Sequence, residues 1–198
     1  MPVWPGDPQV ENLLISSIEK GEEVNVTCIQ MSAHTGTHID APIHFIESGT
    51  AIEELKLTSL LGEVEVVEID FQVSQIDAHT LRKLNRTQWP QRLIFKTNNS
   101  FLRLLDQDYF SRNFTALSPD AAEYLVKKGV NLVGIDYLSI APFENGSDTH
   151  IVLLENNVIV VEGLNLADIS PGIYDLIALP ILLEGADGAP ARVLLIQS

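Results

Sequence analysis

SAHTGTHIDAPIHF, residues 32–45, holds three of the chain's five histidines, His34, His38 and His44, with Asp40 among them. Whether this segment is helix or strand decides the fold around it. His34 and His38 are four apart, the spacing of a zinc-binding HExxH helix. Thr35, Gly36 and Thr37 between them are poor helix formers, no glutamate follows His34, and Pro42 would break the next turn. A strand leading into a tight turn fits better. In an extended segment His38 and Asp40 point to the same side. Gly36 allows the bend that swings His34 toward them, and Pro42 holds Ala41 extended before the chain turns to His44.

Imidazole and carboxylate are ligands that suit zinc or manganese. Three protein ligands leave a coordination position for water, the arrangement of a catalytic metal. A lone histidine is usually a surface or core residue with a hydrogen-bonded ring. Three of them with an interleaved aspartate point to metal instead. Thr35 and Thr37 read as loop hydrogen-bonders.

Outward from this segment, strands dominate. Residues 24–31 (VNVTCIQM) and 63–70 (EVEVVEID) alternate like half-buried strands. RLIFKT, VNLVGID, VIVVEG and ARVLLIQ read as further strands, VNLVGID as a buried one. DAHTLRKL predicts a short helix capped by Asp77. SPDAAEYLVKKG predicts a clear one, with Ser118 as cap, Pro119 at the first helical position and Gly129 as its stop. SDTHIVLLENN predicts a third helix, capped by Ser147 or Asp148. The pattern is α/β, a mixed sheet or barrel with flanking helices. No internal repeat or low-complexity linker interrupts residues 1–198, so one domain is expected.

Composition narrows the function classes. A formal net charge of −15 opposes nucleic acid and anionic membranes, and leaves small-molecule substrates open. The single cysteine, Cys28, excludes an internal disulfide and reads as a small buried hydrophobe, so a cytoplasmic setting is expected. MPVWPGDPQVE has neither the basic nor the apolar region of a secretory signal. LIALPILL, from Leu176, is too short to span a bilayer and contains Pro180.

HTGTHIDAPIHF resembles the HxGTHxDxPxHF signature of the metal-dependent cyclase-like hydrolases, whose members include bacterial kynurenine formamidases. VWPGDP, LVGIDYLSI, THIVLLENNVIVVEGLNL and ADGAPARVLLI look like further family segments in the expected order, so the likeness covers nearly the whole chain. The resemblance implies a swivelling β/β/α fold. It implies metal binding by His34, His38 and Asp40, with Asp40 bridging to a second metal completed by His150 and Glu162. Two zinc ions are expected, with manganese as the substitute. His44 would be the general acid/base, and Trp4 would lie against the substrate ring. Without the resemblance, His150 would be a helix-surface histidine, Glu162 a strand-end carboxylate and Trp4 a loosely packed N-terminal residue.

The implied chemistry is amide hydrolysis by metal-activated water, converting N-formylkynurenine or a related N-formyl aryl amine to the amine and formate. Family members are commonly dimeric or tetrameric, so at least a homodimer is expected. They usually begin with a strand-forming segment before VWPGDP, whereas this chain starts almost directly at it. Many also carry an aspartate where the SIAP loop, residues 139–142, has Ala141. Asp136 reads as a structural carboxylate at a strand end. Two alternatives stand beside the formamidase reading: a cyclic-amide hydrolase resembling the isatin hydrolases, and a metal-binding protein without turnover.

Overall fold

The computed structural model describes residues 1–197. Its elements in order are β1 (Glu11–Ser16), β2 (Val26–Gln30), β3 (His38–Asp40), β4 (Leu61–Glu68), β5 (Gln75–Ile76), α1 (Ala78–Lys83), β6 (Arg92–Lys96), α2 (Asn98–Phe101), β7 (Ala116–Leu117), α3 (Pro119–Lys127), β8 (Leu132–Ile135), α4 (Ser147–Glu155), β9 (Ile159–Glu162), β10 (Gly172–Pro180) and β11 (Gly188–Ile196). Seven strands close a barrel in the order β10-β11-β3-β9-β8-β6-β4. β4, β6, β8 and β9 are parallel neighbours. β3, β10 and β11 join them through antiparallel pairs. The fold is therefore α/β with a mixed barrel and flanking helices, as the strand pattern predicts.

Alternation along the strands divides the apolar residues into two cores. Ile39, Val64, Ile94, Leu132, Val161 and Leu176 meet inside the barrel. Leu93, Phe95, Val133, Ile135 and Val160 face the other way and pack against Leu81, Leu125 and Leu153 of the helices. Each of these fully buried side chains stabilises the fold by about 1.5–3 kcal/mol through removal from water. The helices thus cover one outer face of the barrel. That face also carries the polar cluster described below.

Several local expectations hold and others do not. Asp77 caps α1, accepting a hydrogen bond from the Thr80 amide at 2.7 Å. Ser118 occupies the cap position of α3 but makes no capping bond, because its hydroxyl turns to the Ile76 carbonyl and the Asp120 carboxylate. Neither Ser147 nor Asp148 caps α4: both lie within its first turn, and Gly146 is the cap residue. The strand at residues 24–31 forms as β2 but is exposed rather than half-buried. Among the described residues it pairs only with β1, in a two-stranded ribbon outside the barrel, and its side chains are exposed on both faces. Cys28 lies on that ribbon and is exposed, not buried. The apolar run from Leu176 enters the barrel as β10. No helix of the described residues is long and apolar enough to cross a membrane.

Asp136, just after β8, is a buried structural carboxylate. It accepts hydrogen bonds from the amide and hydroxyl of Thr97 at 2.7 and 2.8 Å, from the amide and hydroxyl of Ser100 at 3.1 and 2.6 Å, and from Asn99 Nδ2 at 3.2 Å. It ties the end of β8 to the start of α2. Removing one partner of such a network strands several buried donors, so Asp136→Ala is expected to cost about 3–5 kcal/mol. Urea unfolding measures this; a loss below about 1 kcal/mol would show that the network does not hold this junction.

Candidate metal centre

β3 is short but sits between β9 and β11, and its register builds the site. His38 lies opposite Glu162, and Asp40 opposite Val160. Ile39 points into the barrel. His38, Asp40 and Glu162 therefore share the outer face. His150 reaches the same place from the first half of α4. His34 precedes β3 and is brought back by Gly36, whose φ of 72° is the left-handed conformation the bend requires. Gly163, after Glu162, packs so closely that a Cβ there would lie 2.1 Å from the Gly36 carbonyl oxygen. Thr37 donates its hydroxyl to the Gly163 carbonyl at 2.6 Å, as a loop hydrogen-bonder should. Thr35 does not behave that way: its buried hydroxyl has no partner among the described residues. Ala41 is extended before Pro42, and a single 3-10 turn, Pro42–His44, carries His44.

All five side chains with implied ligand roles come together. His34 Nδ1 lies 3.0 Å from Asp40 Oδ1, and His38 Nε2 lies 3.4 Å from the same oxygen. The other Asp40 oxygen, Oδ2, lies 3.7 Å from His150 Nε2, which is 3.1 Å from Glu162 Oε1. His38 Nε2 also faces Glu162 Oε2 at 3.2 Å. The two oxygens of Asp40 thus face two different groups of potential ligands, His34 with His38 and His150 with Glu162. His38 and His150 each turn Nδ1 to a backbone carbonyl, of Gly36 at 2.9 Å and Gly146 at 3.2 Å. Both rings therefore aim Nε2 into the cluster. That is the way metal-ligating histidines are held.

The residues fit a metal ion on a physical test. Asp40 Oδ2 is buried without a hydrogen-bond partner among the described residues, and His38 Nε2, also buried, makes no well-aligned hydrogen bond although carboxylate oxygens stand 3.2 and 3.4 Å from it; both are costly states for polar atoms. Two donors about 2.1 Å from one zinc ion stand about 3.0–3.4 Å apart at right or tetrahedral angles. The closest observed separations span 3.0 to 3.4 Å. His34, His38 and Asp40 could hold one ion, and Asp40, His150 and Glu162 another.

The charges are strongly coupled. Burial alone would lower the His38 pKa, but the Asp40 and Glu162 carboxylates at its Nε2 edge outweigh burial and push it up to about 10. Burial likewise opposes the cationic forms of His34 and His150, yet Asp40 raises the first and Glu162 the second. Asp40 and Glu162 stay below their ordinary values despite burial because these imidazoles face them. His44 goes the other way. Burial, together with the His34 and His150 rings, lowers its pKa despite the Asp40 charge.

A cavity of about 290 Å³ opens over the cluster, lined by His34, His38, His44, His150 and Glu162 together with Trp4, Phe45 and Leu138. Trp4 is not loosely packed. Its ring meets Phe110 edge-on at 4.9 Å and Phe143 at 5.4 Å. Phe45 stacks on His150 at 4.4 Å. In the SIAP loop Ser139 lines the cavity, while Ala141 is buried in the core between barrel and helices. The Ile140 amide donates to Glu162 Oε1 at 2.6 Å. Two acidic residues escape the sequence reading: Asp7 lines the cavity, and Asp187 lies 3.1 Å from both His34 and His44. Asp187 sits in the ADGAPARVLLI segment, but no local spacing ties it to histidines more than a hundred residues earlier.

Residues 1–142 match the family model described as "Putative cyclase". The chain belongs to the cyclase family. Among curated relatives of this cyclase-family chain, Cyclase-like protein 3 of Oryza sativa subsp. japonica is 37% identical over 205 residues, 100% of this chain and 76% of that protein. The kynurenine formamidase of Salinibacter ruber (strain DSM 13855 / M31) is 33% identical over 195 residues, covering 98% of this chain and 90% of that one. A solved structure described as a potential metal-dependent hydrolase with cyclase activity superposes with a TM-score of 0.82 at 36% identity, over 98% of this chain and 90% of its own.

The cyclase-family cluster carries a pH signature. With the His38 pKa raised from 6.5 to about 10, its contribution to the stability of the metal-free protein is complete below pH 6.5 and lost as pH rises through about 10. Glu162, depressed from 4.5, contributes above that value and loses its contribution as pH falls. Chelator-treated protein should therefore show a Tm that falls from about pH 6.5 toward 10. A divalent ion must displace protons from these rings, so zinc binding near pH 7 should release protons. Calorimetry in buffers of different ionisation enthalpy reads this. Identical binding enthalpies in all buffers would show that the ion displaces no protons from these rings.

Proposed function

We propose that this cyclase-family chain is a metal-dependent amide hydrolase that cleaves N-formyl aryl amines, N-formylkynurenine or a close relative, into the amine and formate. One observation carries the reading: three imidazoles and two carboxylates converge, and four of these side chains, His34, His38, His150 and Glu162, line a cavity that Trp4 and Phe45 also line. The similarity to the Salinibacter ruber kynurenine formamidase supports an amide as substrate. The proposed ligands are His34, His38 and Asp40 for one ion and Asp40, His150 and Glu162 for a second. Zinc is the proposed metal and manganese its substitute, since both accept imidazole and carboxylate.

When bound, the metal supplies Lewis acidity, polarising the formyl carbonyl and bringing the pKa of water down to about 7. The chain supplies the rest. Trp4 and Phe45 line the cavity, and their proposed role is to flank the aryl ring so that the formyl group lies over the cluster. His44, kept neutral near pH 7 by its lowered pKa, can accept a proton from the attacking water. The water oxygen bonds to the formyl carbon, the C–N bond breaks, and His44 returns that proton to the leaving amine nitrogen. A purely structural site would not require His44 on the cavity wall.

The decisive experiment is a turnover screen of zinc-loaded protein against N-formylkynurenine, formanilide and isatin, in wild type and His44→Ala. Wild type should hydrolyse the formamides. His44→Ala should retain its metal and lose about 10²–10⁴-fold in kcat. Hydrolysis of isatin alone would move the chain to a cyclic-amide hydrolase. An unchanged rate in His44→Ala would remove this residue from the mechanism.

The same proposal takes the enzyme to be a cytoplasmic homo-oligomer that acts on a small molecule, without nucleic acid or membrane partners. The β1–β2 ribbon supports self-association, because Leu13, Leu14, Ile15 and Ile29 are all exposed on it, and an isolated two-stranded ribbon is marginal in water. Light scattering should give at least a dimeric mass, and a monomeric mass would overturn this part.

A further inference from the structure

We infer that Asp187 is a positioning residue that sets the orientation and tautomer of His44 and braces His34 through one shared carboxylate oxygen. The inference rests on His44 acting as the acid–base group proposed above. Asp187 Oδ2 lies 3.1 Å from His44 Nδ1 and 3.1 Å from His34 Nε2. The two rings stack at 4.0 Å with an interplanar angle of 24°. A carboxylate accepts hydrogen bonds only, so both ring nitrogens facing it carry hydrogen. For His44 this leaves Nε2 as the ring nitrogen with no protein partner among the described residues. It is the atom that can exchange a proton with substrate, as in a base oriented by a third group. For His34, the nitrogen facing Asp40 is Nδ1, which carries hydrogen in the metal-free chain; a donor at Nε2 makes Nδ1 the nitrogen that gives up its proton when an ion is ligated.

The seat for this carboxylate is built into the barrel. The Asp187 carbonyl accepts the Ala41 amide at 2.9 Å, and Gly188 pairs with Asp40 in the β11–β3 ladder. The His34 ring lies flush on this backbone. A Cβ at Gly188 would stand 2.6 Å from His34 Cε1 and 3.1 Å from Nε2. One stretch of chain thus fixes the ring of a proposed ligand and, through the same carboxylate, the ring of the proposed acid–base group stacked on it. Neither the HxGTHxDxPxHF signature nor the spacing of its histidines contains Asp187.

The test uses Asp187→Ala, Asp187→Asn and Asp187→Glu in the full chain, with three readouts: bound zinc, kcat and KM on a formamide that wild type hydrolyses, and long-range ¹H–¹⁵N spectra of ¹⁵N-histidine protein at about pH 8, where a neutral imidazole reports its tautomer. Wild type should show His44 as the Nδ1–H tautomer, assigned by its absence from His44→Gln. Asp187→Ala and Asp187→Asn should keep zinc, show a mixture of His44 tautomers, and lose about 10–100-fold in kcat with KM changed less than about twofold. Asp187→Glu, which keeps the acceptor, should regain part of kcat and the Nδ1–H signature. An unchanged His44 tautomer in Asp187→Ala would overturn the inference. Loss of zinc would overturn it too, by making Asp187 a ligand alongside His34 and His44. Should wild type hydrolyse none of the amides, the proposed function fails, while the spectra still decide what Asp187 does to His44.

Discussion

A carboxylate taken fully out of water must be compensated, and Asp40 is the residue on which this protein meets that requirement. Its two oxygens face opposite ways, one toward His34 and His38 and the other toward His150. In the metal-free chain, protonated imidazoles supply the compensating charge. A divalent ion can take their place. The elevated pKa of His38 and the depressed one of Asp40 are therefore two descriptions of one electrostatic demand. The barrel exists around that demand. β3 is only three residues long, yet it is locked on both edges by β9 and β11, so a one-residue slip would turn Asp40 into the barrel and Ile39 out of it.

The same geometry separates rigid positioning from chemistry. His38, Asp40 and Glu162 stand on paired strands, where backbone hydrogen bonds hold their relative places. His34 and His44 stand on turns and depend on contacts to stay in line. The close contact of Gly36 with Gly163 and the short Thr37 hydrogen bond anchor the first turn. The Pro42–His44 turn anchors the second. His44 is also the histidine whose pKa is lowered while three neighbours are raised. That divergence is what a site with separate ligand and proton-transfer roles requires.

The histidine-rich segment is legible in the sequence because its information is local. Gly36 and Pro42 exclude a continuous helix, and the period of two puts His38 and Asp40 on one side of a strand. Strands buried against helices, such as those at Arg92 and Leu132, are legible for the same reason: short runs of apolar and β-branched residues bounded by polar ones have the length of a buried strand. β1 and β10 were not read as strands. β1 has no covered face to impose a pattern, and the run into Pro180 reads only as an apolar stretch until its neighbours β4 and β11 are known. The exposure of Cys28 follows the same principle. Residue type predicts burial only where a partner surface exists, and β2 has none beyond β1.

By itself, then, the sequence determined the strand-turn form of residues 34–44, the α/β class and, through the family segments, which distant residues to watch. Only the tertiary structure decided that Glu162 stands opposite His38, that Asp40 turns one oxygen to each group of potential ligands, and that Asp187 reaches His34 and His44 from the far end of the chain. The reason is range. Backbone preference and side-chain period act over a few residues, whereas a buried charge is satisfied by whatever barrel closure brings within about 4 Å, at any separation in sequence.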